Sequence, residues 1–334
     1  MKVLMINQSE VRKLLPMDEC MEVMASTLKT VAEGNAIVPL RHVMWLPEKI
    51  GALGTMPAYL GSIGMMGLKV MSVFPGNHGT EFDSHIGAVM LYETKHGQLL
   101  AIVDASAITA IRTAAVSGVA TQALARKDAS DLTIMGSGVQ AQSHLAAMLI
   151  ARKIDRVRVW SRNHQSAKAF AEHAGRRHDI SIVAVEDRRE AVEGADIICT
   201  TTASPTPVLP GDWIQPGAHI NAVGSSVAFT RELDTAAIVR SKLFVDRRES
   251  TLNEAGDFLI PKKEGAINDD HIRGEVGEVL LGKVRGRESN DEITLFKSLG
   301  LGVEDVASAH HVYTKAIEQN LGLGVELGGA RHDD

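Results

Sequence analysis

LTIMGSGVQA, residues 132–141, is the stretch that decides the fold. A predicted strand ends at its fourth residue, and Gly136, Gly138 and Ala141 then follow the G-x-G-x-x-G/A pattern at the start of a predicted helix. Gly136 makes the tight turn, and Gly138 lets the backbone approach a pyrophosphate that lies on the positive N-terminus of the helix. The motif predicts a Rossmann-type dinucleotide-binding domain. The alternative interpretation is a glycine-rich turn that binds no ligand.

The chain shows different patterns before and after this motif. After Leu132, predicted strands alternate with helices, which indicates βαβ units and a parallel sheet. Before Ser106, short β-like runs follow one another without helices between them, which suggests an antiparallel or mixed sheet. A final helix is predicted over Glu304–Gln319, and the chain after it, including the last five residues ARHDD, is expected to be frayed.

The bulk composition is that of a globular protein of about two domains. The 334 residues are 45% hydrophobic and 23% charged, and the net charge of −6 comes with no basic block, so nucleic acid is not an expected partner. No run approaches the ~18 uncharged apolar residues of a spanning helix. Glu10 and Arg12 precede any apolar core, so we expect no signal peptide, no membrane partner and a cytoplasmic location. Cys20 and Cys199 form neither a disulfide framework nor part of a metal-ligand cluster, so no metal is expected.

The end of the second strand of the parallel sheet indicates which dinucleotide is preferred. Enzymes that use NAD place an Asp or Glu there, where it binds the ribose 2′-hydroxyl. This strand ends in WSRN, which contains Ser161 and Arg162, and no carboxylate lies between Arg156 and Gln165. A hydroxyl and a guanidinium suit a 2′-phosphate, so NADP(H) is expected to be preferred over NAD(H). The alternative is that Arg162 is a solvated surface charge.

Three basic residues stand in apolar, glycine-rich surroundings. Arg41 follows a Pro-Leu pair, Lys69 lies in GLKVMSVFPGN, and Arg112 is the one charge in ITAIRTAAVSGVA. Because burying an unpaired charge is costly, Lys69 and Arg112 need anionic partners. In a cleft, an Arg with a Lys forms a receptor for a carboxylate. The spacing leaves a second interpretation open, in which each is buried in a salt bridge to the chain's own acids.

Eight separated segments carry a family signature. They are TMPAY (55–59), LKVMSVFPGN (68–77), SHIGAVMLYE (84–93), ITAIRTAAVSGVAT (108–121), GSGVQAQSH (136–144), PGAHINAVGSS (216–226), RELD (231–234) and DEITLFKSLGLGVEDVA (291–307). With these motifs the chain resembles the ornithine cyclodeaminase/mu-crystallin family from about residue 1 to 320. The resemblance implies an α/β fold, with a Rossmann dinucleotide-binding domain (116–302) inserted into an α+β substrate-binding and dimerisation domain (1–115 plus 303–334). It also implies a homodimer.

The resemblance further implies roles for individual residues. Arg41, Lys69 and Arg112 would bind a substrate carboxylate, with Lys69 near the reacting nitrogen, and Met56 would line the pocket. The residues expected at the dinucleotide are Thr113, Gly136, Gly138, Val139 and Gln140 at its phosphates, Ser161 and Arg162 at the ribose, Thr201 and Thr202 on the adenosine side, and Val223 and Gly224 at the nicotinamide.

One position departs from the family members that cyclise ornithine. Those members carry an Asp two residues after the Gly of NAVGAD, where this chain has Ser226 in NAVGSS. A hydroxyl lacks the charge and basicity of a carboxylate. The ketimine-reductase-like branch also has Ser there, followed by RELD, so the resemblance favours reduction of a C=N bond. His85 is a further candidate for proton transfer, because imidazole titrates near neutrality, and the alternative is a structural histidine beside the pocket.

We therefore expect the NAD(P)H-dependent reduction of an α-imino acid to the amino acid, with Lys69, Arg112, Ser226 and His85 as the candidate catalytic residues. The expected substrate is a cyclic ketimine, such as pyrroline- or piperideine-2-carboxylate, or the linear imine of a 2-oxo acid. Two alternatives stay open. The chain is an ornithine cyclodeaminase or amino-acid dehydrogenase, or it is a non-catalytic, crystallin-like binding protein.

Overall fold

A computed structural model describes residues 2–77 and 79–329, which form sixteen β-strands and eleven α-helices. The strands are β1 (Lys2–Ile6), β2 (Ala36–Ile37), β3 (His42–Trp45), β4 (Ala52–Leu60), β5 (Met65–Val73), β6 (His85–Glu93), β7 (Leu99–Asp104), β8 (Asp131–Met135), β9 (Arg156–Trp160), β10 (Ile182–Ala184), β11 (Ile197–Thr200), β12 (His219–Ala222), β13 (Ser241–Val245), β14 (Ile272–Glu275), β15 (Ile293–Lys297) and β16 (Leu323–Glu326). The helices are α1 (Gln8–Leu14), α2 (Met17–Ala32), α3 (Ala105–Leu124), α4 (Val139–Ala151), α5 (His164–His178), α6 (Arg188–Val192), α7 (Thr235–Arg240), α8 (Arg248–Glu254), α9 (Gly256–Lys263), α10 (Val276–Leu280) and α11 (Gly302–Gln319).

These elements form an α/β protein with two compact units. Unit 1 comprises Met1–Arg112 and Leu301–Asp334, and unit 2 comprises Thr113–Gly300, so the boundary lies inside α3. The domain limits predicted from the sequence, 1–115 with 303–334 and 116–302, stay a prediction. Residues 330–334 of that prediction lie outside the described part of the chain.

Unit 1 is built on a mixed eight-stranded sheet, as predicted. The strand order is β16-β1-β7-β6-β5-β4-β2, with β3 paired to β4. The β1–β7 pair is parallel and the other pairs are antiparallel. Helix α11 packs on β4, β5 and β6, and because side chains alternate along a strand it covers every second residue, including Gly67, Lys69 and Met71. Lys69 therefore lies on the covered face.

The close packing of α11 on this sheet depends on glycine. A Cβ atom at Gly67 would lie 2.8 Å from Cγ2 of Val306, and one at Gly302 would lie 3.1 Å from Cβ of Ala58. Both distances are too short for ordinary carbon–carbon contact. Small residues at these positions thus allow the first turns of α11 to approach the backbone of β4 and β5.

Unit 2 is built on an eight-stranded sheet in which every pair is parallel. The strand order is β10-β9-β8-β11-β12-β15-β13-β14. Beginning from β8, the order runs outward to β10 on one side and to β12 on the other, which is the Rossmann arrangement. Ligands of such sheets bind beyond the carboxyl ends of the strands, where the order reverses. In this unit the reversal lies between β8 and β11.

One sequence prediction about the strands is wrong, and two strands of unit 2 were missed. The segment after Gln319 was expected to be frayed, yet β16 pairs antiparallel with β1, with Lys2 opposite Glu326. The last five residues of that expectation lie outside the described residues. The strands β14 and β15 were not predicted, because their apolar runs are short. Arg273 interrupts the run of β14, and Lys297 ends that of β15.

Candidate active site

The glycine loop after β8 has the geometry that a dinucleotide phosphate requires. Gly136 has a φ of 127°, which L side chains rarely adopt, and a Cβ there would lie 2.6 Å from Oγ1 of Thr201. Gly138 caps the 13-residue helix α4 without a side-chain hydrogen bond, and a Cβ there would meet no heavy atom within 4 Å. The space above the first N–H groups of α4 is therefore open. Val139 is exposed and Gln140 is half-buried at this end, so the residues present fit a pyrophosphate.

The ends of the neighbouring strands β11 and β12 meet the glycine loop at the same sheet edge. The backbone N–H of Thr201 donates to the carbonyl oxygen of Met135 at 2.8 Å, and the N–H groups of Val223 and Gly224 donate to that of Thr200 at 3.0 and 3.2 Å. These bonds bring together Thr201, Thr202, Val223, Gly224 and the glycine loop. The structure thus places most of the predicted dinucleotide residues along one edge.

The candidate residues for the ribose lie on the loop after β9. The hydroxyl of Ser137 donates to that of Ser161 at 3.1 Å, which links this loop to the glycine loop. Arg162 is exposed, and within the described part of the chain it forms no ion pair. Its guanidinium is therefore available to an anion from solvent.

The two remaining candidates in unit 2 are less exposed. Thr113 is buried on α3. Ser226 is half-buried two residues after Gly224, and its hydroxyl has no hydrogen-bond partner among the residues that the structure describes. Neither residue has a contact that defines its role, so both roles stay predictions.

Glu232 is a residue of this edge that the sequence reasoning missed. It is 0% exposed, and its carboxylate accepts four hydrogen bonds. Oε1 accepts from the N–H and the hydroxyl of Thr202, both at 2.6 Å, and Oε2 accepts from the hydroxyl of Thr200 and the N–H of Gly224, both at 2.7 Å. Glu232 therefore joins the loops after β11 and β12. Its signal in the sequence was the RELD motif, which served only to distinguish family branches.

A cluster of four charged side chains forms the charged centre of unit 1. Nζ of Lys69 lies 2.8 Å from Oδ2 of Asp305. Nε of Arg112 donates to Oδ1 of Asp305, and Nη1 donates to Oε2 of Glu304, both at 2.9 Å. All four side chains are at most 5% exposed. The prediction that Lys69 and Arg112 have anionic partners is confirmed, and those partners are the chain's own acids on α11.

Electrostatics make Lys69 a group that titrates closer to neutrality than an ordinary lysine. Burial lowers the pKa of Lys69 to about 8, the charge of Asp305 opposes this, and the charges of Arg112 and Arg41 add to it. Burial would raise the pKa of Asp305, but the charges of Arg112 and Lys69 outweigh it and hold that pKa below its ordinary value. Asp305 is thus ionised, and Lys69 can donate a proton near neutral pH.

The other substrate-side candidates belong to unit 1, like Lys69. Met56 is the cross-strand neighbour of Lys69 in the register of β4 and β5, and Arg41 precedes β3. His85 begins β6, where its Nδ1 lies 3.0 Å from the hydroxyl of Ser84. Partial burial of the ring lowers the pKa of His85. The negative charge of Asp83 raises this pKa, and the positive charge of Lys69 lowers it. His85 is therefore mainly neutral at neutral pH. The substrate roles of all these residues stay predictions.

The described residues contain neither a metal-binding cluster nor a membrane-spanning helix. Over 2–77 and 79–329, no three His, Cys, Asp or Glu side chains are arranged to bind a metal ion. No helix within the same ranges is long and apolar enough to cross a membrane.

Known proteins share both the sequence and the fold. The family model of the ornithine cyclodeaminase/mu-crystallin family matches residues 1–320. The chain is 38% identical to ketimine reductase mu-crystallin of Mus musculus over 281 residues, 84% of this chain and 86% of that protein. It is similar to the structure of Thermococcus litoralis Delta(1)-pyrroline-2-carboxylate reductase with NADH and L-proline (TM-score 0.94, 41% identity, 97% of this chain and 100% of that one). It is also similar to an archaeal alanine dehydrogenase dimer with bound NAD (TM-score 0.93, 33% identity, 98% and 100% of the chains).

Proposed function

The chain belongs to the ornithine cyclodeaminase/mu-crystallin family, and we propose that it is a nicotinamide-dependent reductase that converts an α-imino acid to the amino acid. The observation that carries this proposal is the buried cluster of Lys69, Arg112, Glu304 and Asp305, in which a lysine is held ready to donate a proton. Relatives that reduce pyrroline-2-carboxylate and ketimines support it, and one of them binds L-proline and NADH.

The dinucleotide, when bound, supplies the hydride that the imine carbon accepts. Gly138 would leave room for its pyrophosphate at the N-terminus of α4, and Gly136 makes the turn that precedes it. The loops after β11 and β12 would hold the rest of it, with Val223 and Gly224 at the nicotinamide. Their hydrogen bonds fix these loops in advance, so little reorganisation is needed when the dinucleotide binds.

The unit 1 cluster orients the substrate and provides the proton. Arg112 offers its guanidinium to the substrate carboxylate while Glu304 and Asp305 fix the plane of that group, and Arg41 adds a further positive charge near Lys69. Lys69 donates its proton to the imine nitrogen, so the C=N bond becomes a CH–NH bond with one hydride and one proton added. With its pKa near 8, Lys69 is better matched to this task than His85.

Ser226 distinguishes reduction from cyclodeamination. It stands where the ornithine-cyclising members of the family are expected to carry an Asp, and its hydroxyl offers neither charge nor a base. A reaction that must bind and activate a second amine lacks its partner at this position. Reduction of an imine, which needs only a proton donor and a carboxylate receptor, does not require that acid.

We propose NADPH as the preferred reductant, on the grounds that Arg162 is exposed and the loop after β9 offers a hydroxyl but no carboxylate. The two structural relatives bind NADH and NAD, so the preference of this chain rests on its own Ser161 and Arg162. A phosphate on the ribose would receive charge-assisted hydrogen bonds from the guanidinium.

We also propose that the protein is a homodimer formed through the unit 1 sheet. Met44, Met66 and Ile86 are 50%, 38% and 49% exposed, and the alternation along β3, β5 and β6 places them on the face opposite α11. A second copy would cover this apolar face. The alanine dehydrogenase relative is a dimer. The cytoplasmic location expected from the sequence stays a prediction.

A spectrophotometric assay of NADPH and NADH oxidation with a panel of imines tests the proposed function. The panel contains pyrroline-2-carboxylate, piperideine-2-carboxylate, and the imines that pyruvate forms with ammonia and methylamine. Turnover of a cyclic imine supports the proposal. Turnover of pyruvate with ammonia, with no turnover of the other imines, would indicate an alanine dehydrogenase. Release of ammonia from ornithine with NAD would indicate a cyclodeaminase, and binding of dinucleotide without any turnover would indicate a binding protein.

A further inference from the structure

We infer that Glu232 holds a fixed negative charge beside the nicotinamide loop of Val223 and Gly224, and that this charge favours the oxidised dinucleotide over the reduced one. The inference rests on the proposed function, because it takes these two residues as the neighbours of the nicotinamide. The oxidised ring carries a positive charge that the reduced ring lacks. A nearby anion therefore stabilises the charge that develops as hydride leaves the ring. Glu232 acts through the loop it fixes, so it is a positioning residue with an electrostatic effect.

The contacts of Glu232 favour its ionised form. Burial raises the pKa of this carboxyl, and the hydrogen bonds from Thr202 and Thr200 and the charge of Lys297 oppose that rise. Each carboxylate oxygen faces one backbone N–H, from Thr202 or Gly224, at 2.6–2.7 Å. A backbone N–H donates and cannot accept, so these two N–H groups favour the carboxylate over the protonated acid. The hydroxyls of Thr200 and Thr202 complete the four bonds. Hydrogen bonds to the charged form are the usual compensation for burying a carboxylate.

The buried cation whose charge acts on Glu232 is Lys297, and it is paired with a second acid. Lys297 and Asp257 are each 1% exposed and form an ion pair at 2.9 Å. Lys297 also donates to the carbonyl oxygens of Ala222 and Ser225 at 3.2 and 2.5 Å. Two acids and one lysine therefore give this buried group one net negative charge. No described basic side chain forms an ion pair with Glu232 itself.

The same residues fix the position of the loop relative to that charge. Asp257 accepts hydrogen bonds from the backbone N–H groups of Glu232 and Leu233 at 2.9 and 3.0 Å. A Cβ at Gly224 would lie 2.6 Å from Oε1 of Glu232, so only glycine allows the carboxylate to come this close to the loop backbone. The carboxylate thus lies against the residues that border the nicotinamide in the proposed function.

A purely structural role for Glu232 makes a different prediction from an electrostatic one. If Glu232 only joins the two loops, its loss weakens both forms of the dinucleotide equally. If its charge matters, the oxidised form is weakened more. The informative quantity is therefore the ratio of the two dissociation constants, oxidised over reduced, and not activity alone.

The test is fluorescence or calorimetric titration of the full-length protein with NADP⁺ and with NADPH, for wild type and Glu232→Gln. We expect the ratio of Kd for NADP⁺ to Kd for NADPH to rise about tenfold in the variant, which corresponds to about 1.4 kcal/mol. The matched control is Asp246→Asn. Asp246 is also a 1% exposed carboxylate of unit 2, and it accepts from the N–H groups of Leu299 and Gly300 at 2.6 and 2.7 Å. Its replacement should leave the ratio unchanged.

A second variant covers the case in which Glu232→Gln does not fold. Asp257→Asn removes the same unit of negative charge from the buried group and should raise the ratio severalfold. An unchanged ratio in either variant, when folded, overturns the inference. If the wild type reduces imines but the ratio is unchanged in the variants, the inference is wrong and the proposed function stands. If the variants show the expected rise in the ratio but the wild type reduces no imine, the proposed function is wrong and the inference stands.

Discussion

Replacement of Asp305 by Asn is expected to move the alkaline limb of the pH–rate profile to lower pH. As the proton donor, Lys69 must be protonated, so activity is present below its pKa of about 8 and is lost as the pH rises through that value. Burial lowers this pKa, whereas the carboxylate of Asp305 holds it up from 2.8 Å away. Without the carboxylate the ammonium form loses its nearest anion, and the pKa of Lys69 falls further.

The size of the shift follows from the geometry of the ion pair. Two unit charges at the observed Nζ–Oδ2 distance of 2.8 Å interact by about 6 kcal/mol at an effective dielectric constant of about 20, equal to an upper limit of about four pK units. Asn retains a carbonyl oxygen near the ammonium, so part of the interaction remains. We expect a fall of about one to two pK units, which places the limb at about pH 6–7.

The assay is kcat/KM for a cyclic imine at saturating reductant, measured across the pH range in which Lys69 titrates. Ionisation of the substrate is common to all variants, so a difference between them belongs to the protein. Lys69→Arg should remove the limb, because a guanidinium does not titrate in this range. Glu19→Gln is the control, because Glu19 accepts from Lys315 at 2.8 Å in the same unit and its loss should not move the limb. A folded Asp305→Asn protein with the wild-type limb would refute the reasoning.

Further perturbations test the other parts of the site. Arg112→Lys should lower kcat/KM by about 2–3 kcal/mol, because one ammonium cannot replace both guanidinium bonds; dinucleotide Kd, measured by titration, should not change, and a wild-type kcat/KM would make Arg112 purely structural. The wild type should prefer NADPH over NADH by about ten- to hundredfold in kcat/KM, and Ser161→Asp with Arg162→Ala should reverse this; equal wild-type values contradict the prediction. Gly138→Ala should leave Tm unchanged, since its Cβ meets nothing within 4 Å, yet raise dinucleotide Kd by roughly tenfold or more; an unaltered Kd would exclude the glycine loop as the phosphate site. Light scattering at micromolar concentration should give a dimer for the wild type and a monomer for Ile86→Glu, and a monomeric wild type would refute the proposed interface.

The sequence alone determined the features that depend on local pattern. Gly136 and Gly138 predict a tight turn at the start of a helix. Glycine readily adopts the backbone conformation of such a turn, and it leaves space for a pyrophosphate beside the backbone. The alternation of apolar runs and helices indicated the parallel sheet of unit 2. The strands without helices between them indicated an antiparallel or mixed sheet for unit 1, and the sheet is mixed. Charges isolated in apolar surroundings identified Lys69 and Arg112 as buried and in need of anionic partners.

Only the tertiary structure decided which groups meet. The partners of Arg112 lie 192 and 193 residues away on α11. Glu304 and Asp305 also stand in a stretch without other charges, SLGLGVEDVASA, but the sequence does not show which cations they meet. The pairing of β1 with β16 joins the two ends of the described chain, and the four bonds of Glu232 join residues 8 to 32 positions apart. The physical reason is that a hydrogen bond or ion pair is sensitive to differences of a few tenths of an ångström in the distance between its atoms. Tertiary packing sets that distance. The packing of α11 over Gly67 sets the distances in the charged cluster of unit 1. The packing of the loops after β11 and β12 around Glu232 sets those of its four hydrogen bonds.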